Sequence, residues 1–279
     1  MSKFQNLKIG RKLIFAVLCI YAVIQLFPLF WLITFSLKDN AQIFGENIMG
    51  LPSPWVFENY REALKNAKVG TYLVNSFIVT GSTILLTIIT STMASYAIAR
   101  MRWKFSQMFL LFITMGMMIP VHASLLPLFQ SFSKMHILNS RISLILPYLG
   151  FAIPLATNVL TIFFKTIPLE LEEAAVIDGC SIYQTFFHIM LPMVKPAIAT
   201  VSIFTYLSSW NELMFATTFI NKAELKTLTV GVMSMIGQYS IRWGPIGAGL
   251  VVATVPSIIG YIFVSAQLPN AISAGAVKG

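Results

Sequence analysis

Six long apolar stretches divide this chain, and its charged residues are almost confined to the gaps between them. The stretches cover about residues 13–37, 71–99, 106–132, 142–164, 196–220 and 244–267. About 20 apolar residues are enough for a helix to cross the hydrocarbon layer of a membrane. The runs are continuously apolar rather than alternating, which favours helices over a β-barrel. The pattern predicts an all-α polytopic membrane protein with six transmembrane helices, folded as a single transmembrane domain over residues 1–279.

Composition supports lipid as the solvent of this chain. Hydrophobic residues make up 57% of the 279 positions and charged residues only 10%, whereas soluble domains carry about 25% charged residues. The net charge of +9 is spread over short loops without a stripe of interleaved aromatic residues. We therefore expect contact with the lipid bilayer and its anionic headgroups, and no nucleic acid. Cysteine and histidine spacing predicts no metal site.

The orientation in the membrane is only weakly encoded. With six spans both termini lie on one side, and that side carries ten Lys and Arg residues against nine on the other. This difference decides nothing. However, the N-terminal segment and the cluster Arg100, Arg102 and Lys104 flank span ends and contain no acidic residue. Both features favour cytoplasmic termini.

Small residues and prolines predict close packing and bends. The second span carries a stripe at four-residue spacing, which lets another helix approach closely: Thr83, Thr87, Ser91, Ser95 and Ala99. Prolines that remove backbone donors lie in the third, fourth and sixth spans: Pro120, Pro127, Pro147, Pro154 and Pro256. Such breaks often lie near a transport pathway, although proline is also common in membrane helices in general.

The longest polar interruption on the presumed cytoplasmic side is residues 167–196. A helix is predicted to start near Pro168, because three acidic residues would stabilise the positive end of its dipole: Glu170, Glu172 and Glu173. The segment is too short and too charged to span the membrane. It is therefore expected at the membrane surface, and a loop that only caps the bundle is an equally good interpretation of these residues.

A turn and a second helix complete this segment. Asp178 and Gly179 form a left-handed helix stop, and Ser181 with Gln184 forms a capping box. The sequence therefore predicts a hairpin of two short helices, the second limited by Pro192.

This hairpin resembles the EAA loop of permeases of the ABC importer family. Glu173-Ala174-Ala175, Gly179 after three residues, and Ile189-Met190-Leu191-Pro192 after nine more fill its fixed positions. Other segments resemble the second permease subunit of the carbohydrate branch, and the likeness covers nearly the whole chain: Phe57-Glu58-Asn59-Tyr60, Asn75-Ser76, Leu138-Asn139-Ser140-Arg141, Trp210-Asn211-Glu212 and Gly275-Ala276-Val277-Lys278-Gly279.

The resemblance implies a type I ABC importer permease fold in a bacterial plasma (inner) membrane, with cytoplasmic N- and C-termini. It implies four partners: a second homologous permease, an ATP-binding cassette ATPase dimer, an extracellular or periplasmic solute-binding protein, and a sugar. ATP and magnesium would bind to the ATPase, and no cofactor would bind to this chain. The chain has no G-x-x-x-x-G-K-[ST] loop, since Gly50 of the nearest approach is followed by Leu51 and Pro52. It is therefore expected to be a transport subunit and not an enzyme.

The resemblance also implies a set of residues that couple the permease to the ATPase. Small residues would allow close approach, Glu173 would offer a carboxylate, and Tyr183 or Phe187 an aromatic anchor. The full set is Glu173, Ala174, Ala175, Asp178, Gly179, Tyr183, Phe187, Leu191 and Pro192.

A substrate pathway is the second candidate site. Glu212 lies about 24 Å along its helix from Pro196, near the outer half of the membrane. A carboxylate there needs water, a donor or a cavity. Trp210, Asn211 and Glu212, with Asn75, could form a polar and aromatic wall for sugar, or bonds that only steady the bundle or a gate.

Three other function classes stay open or are disfavoured by the residues. An importer for an amino acid or phosphonate would share the hairpin. An ion-coupled secondary carrier would need ionisable residues within its spans, and only Glu212 and His122 qualify. A membrane enzyme would need a convergent set of nucleophile, base or metal ligands, which the sequence does not present.

Overall fold

The computed structural model describes residues 2–45, 47–236 and 242–265, and within them the side chains of 11–45, 47–236 and 242–262. The segment Gly275 to Gly279 lies outside the described residues. The described residues form helices joined by turns, without a β-strand among them. The α-helices are α1 (Ser2–Ser36), α2 (Asn40–Phe44), α3 (Glu58–Arg61), α4 (Val69–Arg100), α5 (Ser106–Met115), α6 (Leu125–Lys134), α7 (Ile142–Thr166), α8 (Glu170–Ile177), α9 (Ile182–Thr185), α10 (Leu191–Met193), α11 (Lys195–Trp210), α12 (Met214–Phe219), α13 (Leu228–Met233) and α14 (Trp243–Ser265).

Short helical turns of other types extend or connect these α-helices. Two are π-helical, Glu62–Asn66 after α3 and Phe186–Met190 after α9. Three are 3₁₀ turns: Gly116–Met118, Val121–Ser124 and Ala223–Leu225.

The membrane-spanning helices agree with the six-span prediction. In the described part of the chain, α1, α4, α7 and α14 are each long and apolar enough to cross a membrane. Two further pairs qualify if each bent pair is one span: Ser106–Met118 with Val121–Lys134, and Ile182–Met193 with Lys195–Trp210. By length and composition, the described residues therefore contain four to six spans.

The chain folds as two compact units. One contains residues 1–69 and 232–254, and the other residues 70–231 and 255–279. The expectation of a single transmembrane domain over residues 1–279 stays a prediction.

In the first unit, the apolar stretch of α1 has an exposed surface on all sides from Arg11 to Phe27. Apolar surface of this extent is stable only against lipid or another membrane chain. The loop that follows is tied to the end of α1, because the Asn59 amide donates to the carbonyl oxygens of Ser36 (3.0 Å) and Lys38 (2.8 Å). The Phe57 to Tyr60 segment thus has a structural role.

Lys38 of the same unit is buried, and its Nζ donates to the carbonyl oxygens of Asn47 (2.7 Å) and Ile48 (3.0 Å). Burial lowers the pKa of this amine, because the charged form loses hydration. Lys38 therefore fixes the path of the loop between α2 and α3.

In the second unit, α4 and α7 meet along the predicted small-residue stripe. Thr83, Thr87, Ser91 and Ser95 are fully buried, and Ser95 Oγ donates to the Thr157 carbonyl oxygen at 3.0 Å. The stripe is confirmed as a helix contact face. This contact also brings the two ends of α4, which carry polar residues, close to the segments that flank α7.

Two helices of the second unit are interrupted. The third predicted span bends by 87° around Pro120, between Gly116–Met118 and Val121–Ser124, as the proline pattern predicts. The fifth predicted span ends at Trp210 and restarts at Met214. The continuous helix expected over 196–220 is therefore wrong. No proline lies at this second break, so the proline pattern did not predict it.

Two apolar clusters form the core of the second unit, toward different ends of α4. One joins α4, α7 and α11 to the segment after α9 through side chains that include Tyr96, Phe164, Phe186 and Met190. The other joins α4 and α7 to α12 through side chains that include Val79, Tyr148, Phe215 and Phe219.

Candidate functional site

The hairpin between α7 and α11 has the predicted local structure. Its first helix, α8, begins at Glu170, two residues after Pro168, and carries three acidic residues in its first turn. Gly179 ends the arm in the left-handed region with φ of +80°, which favours glycine. Ser181 Oγ accepts from Gln184 N (3.4 Å), and Gln184 Oε1 accepts from Ser181 N (2.8 Å). The capping box is confirmed.

One side of the hairpin is locked into the helix bundle. Ala175, Phe186 and Met190 are buried, and the rings of Tyr96 and Phe186 lie 5.1 Å apart. Burial of an aromatic side chain of this size stabilises by roughly 1.5–3 kcal/mol. The hairpin is therefore packed against α4 and α7.

The opposite side projects an apolar tip, which we define as Val176, Ile177, Tyr183 and Phe187. Ile177 is 86% exposed and Tyr183 is 72% exposed. Clustered exposed apolar side chains on a polar turn are typical of a protein contact surface. The hairpin thus has a buried side and a free side.

The predicted coupling residues divide between these two sides. Ala175 is buried and Leu191 half-buried, so Ala175 packs within the hairpin rather than on its surface. The exposed members are Glu173, Ala174, Asp178, Gly179, Tyr183, Phe187 and Pro192.

Arg100, at the end of α4, clamps the base of the hairpin. Its Nε donates to Glu172 Oε1, and its Nη1 donates to the carbonyl oxygens of Ile167 (3.0 Å) and Phe164 (3.4 Å). Nη2 donates to the Pro168 carbonyl oxygen at 3.4 Å. This role could not be predicted from the sequence, where Arg100 indicated only the orientation of the chain. The one signal was its position, as a basic residue at a span end with no acidic residue beside it.

Asn75, a predicted pathway residue, is buried and holds the loop between α12 and α13. Its Nδ2 donates to the carbonyl oxygens of Glu224 (2.8 Å) and Lys226 (3.0 Å). Its Oδ1 accepts from Arg141 Nη2 at 2.9 Å. Both ends of the amide are therefore engaged within the protein.

Neighbouring polar residues hold the same loop, residues 221–228. Ser76 Oγ accepts from Leu228 N at 2.8 Å. Asn139 Oδ1 accepts from the backbone N–H groups of Asn221 (2.6 Å) and Lys222 (3.1 Å). Two of the segments that carry the family resemblance thus converge on one loop.

Glu212 stands in the break between α11 and α12. Its Oε2 accepts from Tyr148 Oη (2.5 Å) and Ala216 N (3.0 Å), and its Oε1 accepts from Phe215 N (2.8 Å). These bonds satisfy free N–H groups at the start of α12 and give the carboxylate three donors. They also explain the break, because the side chain replaces helical carbonyl acceptors.

The two residues before Glu212 differ in exposure. Trp210 is buried, with its ring 5.3 Å from Tyr206 and 5.1 Å from Phe77. Asn211 is exposed, and its Nδ2 donates to the Leu207 carbonyl oxygen at 2.9 Å. Of the four predicted pathway residues, Asn211 alone is exposed.

A cavity of about 320 Å³ lies beside Glu212. Its wall is mostly apolar, with polar groups that include Tyr148, Ser208 and Glu212. Among the described residues, no group of three or more His, Cys, Asp and Glu side chains could hold a metal ion. The site therefore offers packing and hydrogen bonding rather than a set of metal ligands.

Known proteins are similar to this chain in sequence along most of its length. The sulfoquinovosyl glycerol transport system permease protein SmoH of Agrobacterium fabrum is 34% identical, over 97% of this chain and 95% of that protein. The diacetylchitobiose uptake system permease protein NgcG of Streptomyces coelicolor is 32% identical, over 94% and 87%. The trehalose/maltose transport system permease protein MalG of Thermococcus litoralis is 30% identical, over 92% and 93%.

A solved structure has the same fold. It is a chain of a bacterial ABC transporter involved in the import of the acidic polysaccharide alginate, with a TM-score of 0.81, 22% identity, and coverage of 92% of this chain and 96% of that one. The predicted ABC importer permease fold is confirmed. Residues 87–272, most of the chain, match the profile of a family described as the binding-protein-dependent transport system inner membrane component. The chain therefore belongs to the family of binding-protein-dependent transport system inner membrane components, and is a multi-pass transport permease.

Proposed function

We propose that this chain is the permease subunit of an ATP-driven importer that carries a sugar or oligosaccharide delivered by an extracellular or periplasmic binding protein. The hairpin carries the proposal, because it joins a side locked into the bundle to a free apolar tip. The relatives' names support sugar as the cargo, since they mention sulfoquinovosyl glycerol, diacetylchitobiose, trehalose and maltose. An importer for an amino acid or phosphonate is the alternative within the family.

The chemical step belongs to a partner. An ATP-binding cassette ATPase dimer would bind ATP and magnesium, and a second homologous permease would complete the membrane pathway. The apolar tip fits a groove on the ATPase, because four exposed apolar side chains lose contact with water on docking. Glu173, also exposed, is placed to meet a basic or donor group.

Coupling would proceed by rigid-body motion. Closure of the ATPase dimer displaces the tip, and the displacement passes through Phe186 and Met190 into the core cluster, and through Glu172 into Arg100. Helices α4, α7 and α11 then move together. In the proposed mechanism, the hairpin and both termini lie in the cytoplasm of a bacterial cell, and the permease lies in its plasma membrane.

On the external side, we assign most of the predicted pathway residues to support. The side chain of Asn75 hydrogen-bonds to a loop and that of Glu212 to the start of a helix. Both would therefore stabilise a gate rather than contact sugar. Asn211, which is exposed, is the member placed to reach a solute. The engaged carboxylate of Glu212 also gives little support to an ion-coupled carrier.

The test is ATP-dependent uptake in liposomes that contain this chain, its ATPase and the second permease, with a binding protein supplied outside. Sugar uptake that needs ATP and the binding protein supports the proposal, and amino acid or phosphonate uptake without sugar uptake contradicts the sugar assignment.

The orientation is tested by labelling in intact cells. An Asp178→Cys variant should resist a membrane-impermeant maleimide that labels a Lys222→Cys control. Labelling of both variants in intact cells would contradict the cytoplasmic placement.

A further inference from the structure

A second cavity, unrelated to the solute pathway, lies where α4 ends and α5 begins. Its volume is about 560 Å³. Its lining contains four basic residues and no acidic residue: Arg100, Arg102, Lys104 and Lys165. Leu169, at the start of the hairpin, closes one side. The cavity is therefore lined by a concentrated positive charge at the base of the hairpin.

Three of these basic groups are available to bind an anion that is not part of the protein. Arg100 is occupied by Glu172 and the backbone carbonyl oxygens around it. In the part of the chain that the structure describes, Arg102 and Lys165 have no hydrogen-bond or ion-pair partner, and Lys104 only contacts the Phe105 ring, 5.7 Å from its centroid. Clustered cations without counter-charges raise each other's energy, so an anion bound among them is stabilised.

Backbone donors add to this site. Helix α5 begins at Ser106 without a side-chain cap. The Ser106 N–H already donates to the Trp103 carbonyl oxygen at 3.3 Å, so the donor that counts is the N–H of Gln107, which also lines the cavity. Free N–H groups in the first turn of a helix favour a phosphate-type anion. The basic side chains and the helix start thus point to the same ligand chemistry.

The surroundings place that anion in a membrane. Arg100 and Lys165 stand at the ends of the apolar helices α4 and α7, where lipid headgroups lie. The Trp103 indole lines the cavity, and its Nε1 donates to the Ala97 carbonyl oxygen at 3.0 Å. Next along α5, exposed apolar side chains offer a surface for acyl chains: Met108, Phe109 and Phe112.

We propose that this cavity binds the headgroup phosphate of an anionic phospholipid, held by Arg102, Lys104 and Lys165. A lipid there would brace the base of the hairpin beside the Arg100 clamp. The cytoplasmic position of the cavity rests on the proposed function, but binding itself does not require transport. Each basic side chain near an anionic lipid surface contributes a roughly fivefold gain in binding.

The test is a lipid titration of the full chain in detergent micelles, followed by native mass spectrometry. Phosphatidylglycerol should bind at least tenfold more tightly than phosphatidylcholine with the same acyl chains. The triple variant Arg102→Gln, Lys104→Gln, Lys165→Gln should lose this preference. The matched control removes three exposed basic residues outside the cavity, Arg11→Gln, Lys12→Gln, Lys195→Gln, and should retain it.

Two further arms sharpen the result. Brominated phosphatidylglycerol should quench the fluorescence of the wild-type chain more than that of Trp103→Phe. Millimolar glycerol phosphate should compete poorly if a membrane lipid is the ligand. An equal loss in both triple variants, an unchanged preference in the cavity variant, or full displacement by glycerol phosphate would overturn the proposal. None of these readouts needs ATP or solute, so failure of the proposed function would be visible separately.

Discussion

The guanidinium of Arg100 pairs with the carboxylate of Glu172, so the end of α4 is fixed to the first turn of α8 across 72 positions of sequence. Their side chains are only 8% and 16% exposed, which limits screening of this pair by solvent and salt. Carbonyl oxygens at the end of α7 accept from the same guanidinium. The first turn of α8 is therefore tied to the ends of both α4 and α7.

Replacing Arg100 by Gln should destabilise the chain and uncouple the importer. The change leaves a poorly solvated carboxylate unpaired, a loss on the order of 3 kcal/mol. We expect a lower thermal unfolding midpoint of the purified chain, and fewer sugar molecules imported per ATP hydrolysed by the assembled importer.

Arg61→Gln is the control for this prediction. Arg61 pairs with Glu58 at 3.6 Å, but both side chains are more than 60% exposed, so little change is expected. The reversed pair, Arg100→Glu with Glu172→Arg, should recover part of the coupling ratio. A normal coupling ratio in Arg100→Gln would contradict the linkage.

The two sides of the hairpin should respond differently to substitution. Ile177→Asp, at the exposed tip, should lower uptake at least about tenfold without a change in unfolding midpoint, because a docking contact is lost. Phe186→Ala, on the buried side, should instead cost about 3–5 kcal/mol in stability. Uptake assays and thermal unfolding of both variants check the distinction, which equal stability losses would refute.

Gly179 offers a test of charge at the docking surface. Asn and Asp have nearly the same shape, and both tolerate the left-handed backbone seen at φ of +80°. No atom lies within 4 Å of a Cβ built there, so both variants should fold and reach the membrane. Gly179→Asp should abolish uptake, whereas Gly179→Asn should keep part of it. Equal uptake by the two variants would exclude an effect of charge.

Asn75→Leu should loosen the loop of residues 221–228. It removes the donors to Glu224 and Lys226 and the acceptor for Arg141, which costs about 1–3 kcal/mol for buried groups left unpaired. Hydrogen exchange should accelerate in that loop. Asn66→Ala, at an exposed asparagine, serves as the control, and unchanged exchange in Asn75→Leu would count against the assigned role.

A double-mutant cycle can separate scaffold from pathway at Glu212. Glu212→Gln and Tyr148→Phe each weaken the 2.5 Å bond between these residues, so their stability losses should be less than additive, with a coupling of about 0.5–3 kcal/mol. Sugar selectivity should stay unchanged in both. A shift of selectivity in Glu212→Gln, measured by competition between sugars, would instead favour direct contact with the solute.

Local rules predicted the hairpin in detail. Its acidic first turn, its left-handed glycine and its Ser181–Gln184 capping box each depend on residues within a few positions of one another. Apolar run length likewise predicted the spans, except that the fifth ends at Trp210 and restarts at Met214. Such features need no knowledge of the tertiary structure, and this is why they could be predicted.

The partners of polar residues could not be predicted in this way. The Asn75 amide donates to carbonyl oxygens about 150 positions away in the sequence. Every residue has a backbone carbonyl, so the sequence does not indicate which one accepts. The break at Asn211 depends on Glu212 finding Tyr148 on another helix. Ala175 was assigned to the surface, but the rotation of α8 set by Glu172 and Arg100 turns it inward.

The apolar tip has a consequence for the life of the protein in the cell. If the hairpin is cytoplasmic as we propose, a copy made in excess of its ATPase would expose Ile177 and Tyr183 to the cytosol. Chaperones and quality-control proteases act on proteins that expose such apolar side chains. Orphan permease should therefore be short-lived, and synthesis of the subunits in matched amounts would protect it. The same four side chains that we propose dock on the ATPase would mark an unassembled subunit for degradation.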